Sequence, residues 1–373
     1  MKSDFTCNSG GTSCQNSRGV LGATGAVGQR FAQLLANHPY FDLTVLAASD
    51  RSAGKTYREA ANWILTEPMP AHLADMTVQE MSTDLPCELV FSALPTNFAK
   101  EWESKFAAAG YGVFSNAGVH RMDSDVPLVL PEVNPDHLDL LKQQRVERGW
   151  SRGFIVTNSN CTAMPMVMSL APLMQFGPQA VIATSLQALS GAGYPGVPSL
   201  DAIDNVVPFI GESEEVKMNT ESNKMLGRLT GQGINPAGIK ISAHCNRVPV
   251  SDGHLVTVSV GFKDKPSLED IVAAWESWQP LPQQLQLPSA PQPPLVVRTE
   301  SNRPQPRLDR NAGGGMATTI GRLRPCEVLD VRFVCLAHNT IRGAAGGSVL
   351  NAELMAAQGM LEAFKAEAAH VPA

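Results

Sequence analysis

Three glycines spaced three apart, Gly22, Gly25 and Gly28, lie in "VLGATGAVGQRFAQLLANHP" between an apolar strand end and a helix, and no other feature restricts the chain's fold as much. Val27, Phe31, Leu34 and Leu35 share one helical face, and Pro39 lies just past the helix end. A strand, a glycine turn and a helix form the first half of a parallel crossover unit. Short apolar runs that end in small or polar residues continue the pattern: "LTVLAAS" (43–49), "ELVFSALP" (88–95), "GYGVFSNA" (110–117) and "GFIVTNSN" (153–160). Strands buried on both faces read this way, and helical stretches between them imply right-handed crossovers. The first half of the chain is therefore expected to be an α/β, doubly wound parallel sheet with ligands at the carboxyl ends of its strands.

A second texture begins after Cys161. "AVIATSLQALSG" (180–191), "GHLVTVSVGF" (253–262) and "VLDVRFVCLAHN" (328–339) are longer β-like segments, and "SLEDIVAAWESW" is a helix with a Ser-x-x-Asp start. The Pro/Gln-rich stretch at roughly 279–307 is expected to be a long surface loop. A last helix, about 347–364, carries Leu350, Leu354 and Leu361 on one side. At 373 residues the chain has room for two cores. The expected division is an atypical segment 1–19, a first domain over 20–160 completed by the C-terminal helix (about 340–373), and a second domain over 161–339.

A net charge of -6 with no basic cluster excludes a nucleic-acid footprint, and no apolar run approaches the ~20 residues that span a bilayer. Seven scattered cysteines without a CxxC pair indicate neither a metal site nor a disulfide framework, which suits a reducing, cytoplasmic setting. Residues 1–19 are rich in Ser, Gly and Asn and lack the apolar core of a secretory signal.

Glycines let a backbone approach a pyrophosphate, and the following helix offers free N–H groups and a positive dipole end, so the turn reads as a nucleotide site. After the second strand come Ser49, Asp50, Arg51 and Ser52. Two hydroxyls and a cation suit the 2′-phosphate of NADP, although Asp50 alone would favour the ribose diol of NAD. The first strand is unusual. Only Val20 and Leu21 precede the turn, behind the polar "CQNSRG". Either that strand is short or its N-terminal part is not the natural partner of the rest, and cofactor affinity or stability is at risk.

Cys161 follows a strand and opens "CTAMPMVMSLAPLM", which has helical periodicity and a Pro suited to a first turn. A thiol there meets the positive end of the helix dipole, which lowers its pKa from ~8.5 toward neutrality. The free N–H groups would also stabilise an oxyanion. The alternative is a small buried thiol with no chemistry. Arg247 and His254 flank a Pro and Gly turn in "RVPVSDGH", and offer a carboxylate grip and a proton-exchanging ring. Glu215 and Lys217 in "EEVK", and Arg121 in "HRMD", are charged positions whose plain reading is a solvated surface.

Taken together, "GATGAVGQR", "SDRSAGK", "SALP", "SNAGVHRMDSDVPLVLPEVN", "SNCTA", "SGAGYPGVPSLDAIDNVVPFI", "RVPVSDGH", "RPQPRLDRNAGGGM" and "HNTIRGAAGGSVLNAELM" resemble the aspartate-semialdehyde dehydrogenases of archaea and fungi, in family order from residue 20 to 360. The resemblance implies a Rossmann-like domain and an α+β catalytic and dimerisation domain in a homodimer or homotetramer. It implies reversible, NADP-dependent reduction of L-aspartyl-4-phosphate to aspartate semialdehyde with release of phosphate, a step in lysine, threonine and methionine biosynthesis. Cys161 would be the acylated nucleophile, His254 the acid/base, Gln187 the group that orients the acyl intermediate, and Asn160 its neighbour at the oxyanion site. Arg247 would bind the substrate's α-carboxylate, Glu215 its α-ammonium, and Lys217 and Arg121 the phosphate. On the cofactor side the resemblance implies Gly22, Thr24, Gly25, Ala26, Val27 and Gly28 at the pyrophosphate, and Ser49, Arg51 and Ser52 at the 2′-phosphate. Ser92, Ala93, Leu94, Gly191 and Gly193 would line the pocket, and Asn339 would hold the nicotinamide amide. "DRNAGGGM" differs from the usual acidic, asparagine-containing loop at a place that carries no catalytic residue.

The alternatives are an N-acetyl-glutamyl-phosphate reductase, a malonyl-CoA reductase-like enzyme, and a non-catalytic nucleotide-binding relative. The first has an acetylated substrate amine that would leave a carboxylate at position 215 without a partner, and its Gly- and Tyr-containing nucleophile motif is missing here.

Overall fold

The computed structural model describes residues 17–362; the expectations for 1–16 and 363–373 lie outside these described residues. Two sheets divide the chain. The first contains β1 (Ser17–Leu21), β2 (Asp42–Ala48), β3 (Gln79–Glu80), β4 (Leu89–Ser92), β5 (Gly112–Ser115), β6 (Leu128–Val129) and β7 (Phe154–Asn158). All are parallel, in the order β3-β2-β1-β4-β5-β7-β6. Chain order reverses between β1 and β4, and the crevice outside their carboxyl ends is where such a sheet binds ligands.

β1 extends further back than its apolar residues suggest. Ser17, Arg18 and Gly19 join Val20 and Leu21 in a fully buried five-residue strand between β2 and β4. The polar part is accommodated individually. The Ser17 hydroxyl pairs with that of Thr44 and donates to Pro86 O at 2.8 Å. The Arg18 guanidinium lies 5.2 Å from the centre of the Phe41 ring. Gly19 leaves room for Cys87, whose sulfur would stand 2.9 Å from a Cβ there.

The core of this half joins sequence-distant elements. Val20, Phe31, Leu46, Phe91 and Phe114 pack with Val349, Leu350, Leu354 and Met355 of the helix Gly346–Ala357. The second sheet has the order β11-β8-β12-β15-β14-β13: β8 is Pro178–Gln187, β11 Lys240–Arg247, β12 His254–Phe262, β13 Leu295–Arg298, β14 Thr318–Pro325 and β15 Val331–Ala337. A hairpin, β9 (Arg228–Thr230) and β10 (Gly233–Asn235), stands apart. β12 alternates in burial along its length, and its inner face packs on the wholly buried helix Ala163–Leu170. The Ser267 capping box with Asp270 starts the helix Leu268–Glu276, as the sequence pattern predicts.

The 279–307 stretch is not a surface loop. It forms a short helix, Leu281–Gln284, and the edge strand β13, and it buries Leu287 and Leu295 in the two cores. Those leucines anchor it, and proline is tolerated at sheet edges. β14, which carries no marked apolar alternation, was not expected from sequence.

Candidate active site

The reversal point holds a cleft of about 540 Å³ lined by Gly22, Thr24, Gly25, Ser49, Asp50, Ala93, Leu94 and Trp102, among others. Gly22 has φ +75, and a Cβ there would stand 2.9 Å from Ala93 O. At Gly28 a Cβ would stand 2.1 Å from Gly22 O, so the helix can start this close to β1 only without a side chain. That helix, Ala26–Leu35, has no side-chain cap at Gly25, which leaves the N–H groups of Ala26, Val27 and Gly28 to an anion. Arg51 and Ser52 lie in the exposed to half-buried turn beyond Asp50, and Ser92 is buried at the end of β4. The residues present fit a dinucleotide.

A second constellation forms where the carboxyl end of β7 meets one end of the other sheet. Register brings its members together. Arg247 is the partner of Gln187 across β11 and β8, and Leu255, next to His254, is the partner of Leu186. Glu214 closes the group from the helix Glu214–Met225. Its carboxylate accepts from Asn160 Nδ2 at 3.1 Å, Gln187 Nε2 at 3.3 Å, Thr162 Oγ1 at 3.3 Å and Lys217 Nζ at 3.5 Å. Burial acts to raise the Glu214 carboxyl, but the Asn160 and Gln187 hydrogen bonds and the Lys217 charge outweigh it and hold the group below its ordinary value.

The backbone of one residue positions two further groups. Ala188 N–H donates to His254 Nδ1 at 3.1 Å, and Ala188 O accepts from Arg247 Nη1 at 2.7 Å. His254 Nε2 is buried and has no protein partner. Burial first, then the charge of Arg247, pushes the His254 pKa down to about 3, so the ring rests neutral. Gly191 lies against both groups: a Cβ there would be 2.8 Å from Arg247 Nη1 and 3.0 Å from His254 Nε2. Gly193, with φ +74, continues this loop.

Glu215 does not reach the constellation. Its carboxylate accepts from Cys245 N at 3.0 Å on an exposed flank, and Glu214 occupies the place expected of it. Helix geometry is the reason. Residues three apart face the same side and residues two apart do not, so Glu214 accompanies Lys217.

The environment of Cys161 also differs from expectation. Asn160 Oδ1 accepts from Thr162 N at 2.8 Å and Ala163 N at 3.0 Å, which takes up the helix N–H groups expected to face an oxyanion. Burial, with Glu214 adding to it, pushes the thiol up to about 11 against the opposing pull of Arg121, Thr162 and Arg247. The resting sulfur is therefore a thiol, not a thiolate near neutrality. Its back is covered by Gly343, where a Cβ would stand 2.7 Å from Cys161 Cβ.

Two other expected residues are already bonded within the protein. Arg121 Nη1 contacts both Glu221 oxygens at 3.2 and 3.3 Å, and Nη2 donates to Asn116 O at 2.8 Å, while Nε has no partner. Asn339 accepts from Gly253 N at 2.8 Å and donates to Ser190 Oγ at 2.8 Å, so its amide braces the turn before His254. Sequence reasoning missed Glu214, Ala188, Gly343 and Glu221. Only Glu214 carried a readable signal, its spacing from Lys217. Among the described residues, no group of three or more His, Cys, Asp and Glu is placed to hold a metal ion, and no helix is long and apolar enough to cross a membrane.

Residues 18–141 match the family model of the semialdehyde dehydrogenase NAD binding domain, and residues 170–342 match that of the semialdehyde dehydrogenase dimerisation domain. The aspartate-semialdehyde dehydrogenase of Archaeoglobus fulgidus is 53% identical over 338 residues, covering 90% of this chain and 97% of the relative. The chain belongs to the aspartate-semialdehyde dehydrogenase family. The Saccharomyces cerevisiae aspartate-semialdehyde dehydrogenase is 45% identical over 359 residues, covering 92% of this chain and 98% of the relative. The crystal structure of the Candida albicans aspartate-semialdehyde dehydrogenase with NADP superimposes with a TM-score of 0.85 at 41% identity, covering 92% of this chain and 99% of that one.

Proposed function

We infer that this chain catalyses the reversible, NADP-dependent reductive dephosphorylation of L-aspartyl-4-phosphate to L-aspartate 4-semialdehyde, in the biosynthesis of lysine, threonine and methionine. The observation that carries the reading is the joining of Cys161, Gln187, Glu214, Arg247 and His254 into one group by hydrogen bonds and charge, in a member of this family.

Cys161 Sγ attacks the acyl carbon, the carbon–oxygen bond to phosphate breaks and the thiol proton leaves with the phosphate, which splits the reaction at a thioester on the chain. Lys217 and the remaining donors of Arg121 receive the departing phosphate. Arg247 grips the α-carboxylate and Glu214 the α-ammonium, so the substrate is held by its two charged ends. Bound NADPH supplies the hydride. It would lie along Gly22, Thr24, Gly25, Ala26 and Val27, with Ser49, Arg51 and Ser52 toward its 2′-phosphate and Ser92, Ala93, Leu94, Gly191, Gly193 and Asn339 toward the nicotinamide side. Collapse of the tetrahedral species frees the aldehyde and returns the sulfur. His254, whose Nδ1 accepts from Ala188 N–H, carries its proton at Nε2, donates it to the sulfur released in that collapse and is reprotonated from solvent. Gln187 Nε2 donates to Ser185 Oγ and Glu214 at 3.2 and 3.3 Å, and an N–H turned from these long bonds to the acyl oxygen would orient the acyl group. Asn160 acts one residue away by capping the helix.

The first sheet and the helix Gly346–Ala357 form the cofactor-binding unit, and residues 161–339 the catalytic and dimerising one; the core that the first sheet shares with that helix, separate from the core of the second sheet, supports that division. A homodimer or homotetramer in the cytoplasm completes the proposal, supported by the dimerisation-domain match and by free thiols at Cys87, Cys161, Cys245, Cys326 and Cys335. The test is NADPH formation from NADP, aspartate semialdehyde and phosphate. Activity that requires phosphate supports the reading. Activity only with coenzyme A in place of phosphate, or only with N-acetyl-glutamate semialdehyde, would replace it.

A further inference from the structure

Four charged residues occupy one stripe of the helix Glu214–Met225: Glu214, Lys217, Glu221 and Lys224. Spacings of three and four put them on one face. The first two belong to the substrate site described above. The other two are buried deeper and bond only to protein. Lys224 Nζ donates to the carbonyls of Arg121, Asp123 and Val126 at 2.7, 2.8 and 2.8 Å, which clamps the segment that carries Arg121. Glu221 is 1% exposed and makes two sets of contacts. One oxygen accepts from Asn160 N at 2.9 Å, immediately before Cys161, and both oxygens contact Arg121 Nη1.

We propose that Glu221 is a positioning residue that fixes the Arg121 guanidinium relative to the Cys161 turn and, as the arginine's counter-charge, weakens the site's hold on phosphate. This rests on Arg121 and Lys217 being the phosphate ligands, as proposed above. A single carboxylate thus sets the distance between nucleophile and phosphate site, and a paired arginine binds an anion less tightly than an unpaired one. Such a brake suits a reversible reaction, in which phosphate must leave after it is displaced.

The experiment uses the full-length enzyme and inorganic phosphate. Glu221→Gln keeps the shape and one acceptor but removes the charge. The expected result is a split: KM for phosphate falls about 3- to 10-fold, while kcat falls at least 10-fold because a neutral amide holds Arg121 less firmly against the Cys161 turn. Protection of Cys161 from iodoacetamide by phosphate, which needs no turnover, should shift to lower phosphate by the same factor. Glu221→Asp, which keeps the charge on a shorter arm, should lower kcat without tightening phosphate. A purely structural role would lower kcat in both variants with phosphate protection unchanged or weaker, and that outcome overturns the proposal. If Glu221→Gln does not fold, Glu221→Asn is read against Glu221→Asp, which has the same length and keeps the charge: phosphate protection equal in the two overturns it. Loss of phosphate protection in the wild-type enzyme would instead refute the phosphate assignment of Arg121 and Lys217.

Discussion

Gly343→Ala should disable catalysis without touching a single polar contact. The new Cβ would stand 2.7 Å from Cys161 Cβ and 3.0 Å from Cys161 Cα, about 1 Å inside the ~3.5–4.0 Å at which carbon atoms rest. Neither side yields easily. Gly343 N is held by His338 O at 3.0 Å, and the neighbouring Arg342 forms a fully buried ion pair with Glu132 at 2.6 Å. On the other side, Asn158 Nδ2 donates to Ala344 O at 2.8 Å and pins the end of β7. Overpacking of this kind costs about 1–3 kcal/mol of stability. Displacing the sulfur by ~1 Å costs on the order of 100-fold in kcat, equivalent to ~2.7 kcal/mol of barrier. The assay is steady-state NADPH formation at saturating substrates, alongside thermal unfolding and NADP binding by fluorescence. The reasoning predicts kcat reduced ~100-fold with NADP affinity within twofold of wild type. Wild-type kcat in a folded Gly343→Ala enzyme would refute it, because the sulfur would then tolerate a neighbour the structure forbids.

Glu214→Gln should raise KM for aspartate semialdehyde at least ~10-fold, whereas Glu215→Gln should leave it within about twofold; equal effects would put the substrate ammonium elsewhere. Cys161→Ser should remove nearly all turnover and preserve NADP binding, as a titration of cofactor fluorescence will show; equal loss of both would argue against separate sites. Burial raises the Glu103 carboxyl to about 7 against the opposing Ser92 and Ser115 hydrogen bonds and Arg121 charge, so its contribution is full below the unfolded value near 4.5 and is lost as pH rises through 7. Unfolding of Glu103→Gln and wild type in urea should therefore diverge in the variant's favour by about 3 kcal/mol between pH 4 and pH 8, and a pH-independent difference would contradict this.

Most of the first sheet was legible because parallel strands buried on both faces must be apolar, and runs such as "ELVFSALP" and "GFIVTNSN" have no other plausible use. Cys161 was legible by its position between such a strand and a periodic helix. The errors have local causes. Glu215 and Lys217 stand two apart, whereas i and i+3 share a helix face, so Glu214 is the carboxylate that accompanies Lys217. The free helix N–H groups were assigned to an oxyanion although Asn160, two residues before Thr162, is itself a capping residue type. The thiol's raised pKa depends on burial by segments over 180 residues away in sequence, which no local pattern records. Ala188 acts through its backbone N–H and carbonyl and Gly343 through an absent side chain, and neither leaves a chemical mark in the sequence. β13 was hidden by prolines whose composition resembles a linker.

The helix Gly346–Ala357 covers a core begun by β1, more than 320 residues earlier, and the whole second sheet is made between the two. On the ribosome, Val20, Phe31 and Phe91 therefore emerge long before the side chains that shield them. The cofactor-binding half cannot close until residues 346–357 have been made, and its apolar face stays exposed in the meantime. A chain stopped before residue 346 would lose not one helix but the core of its first sheet.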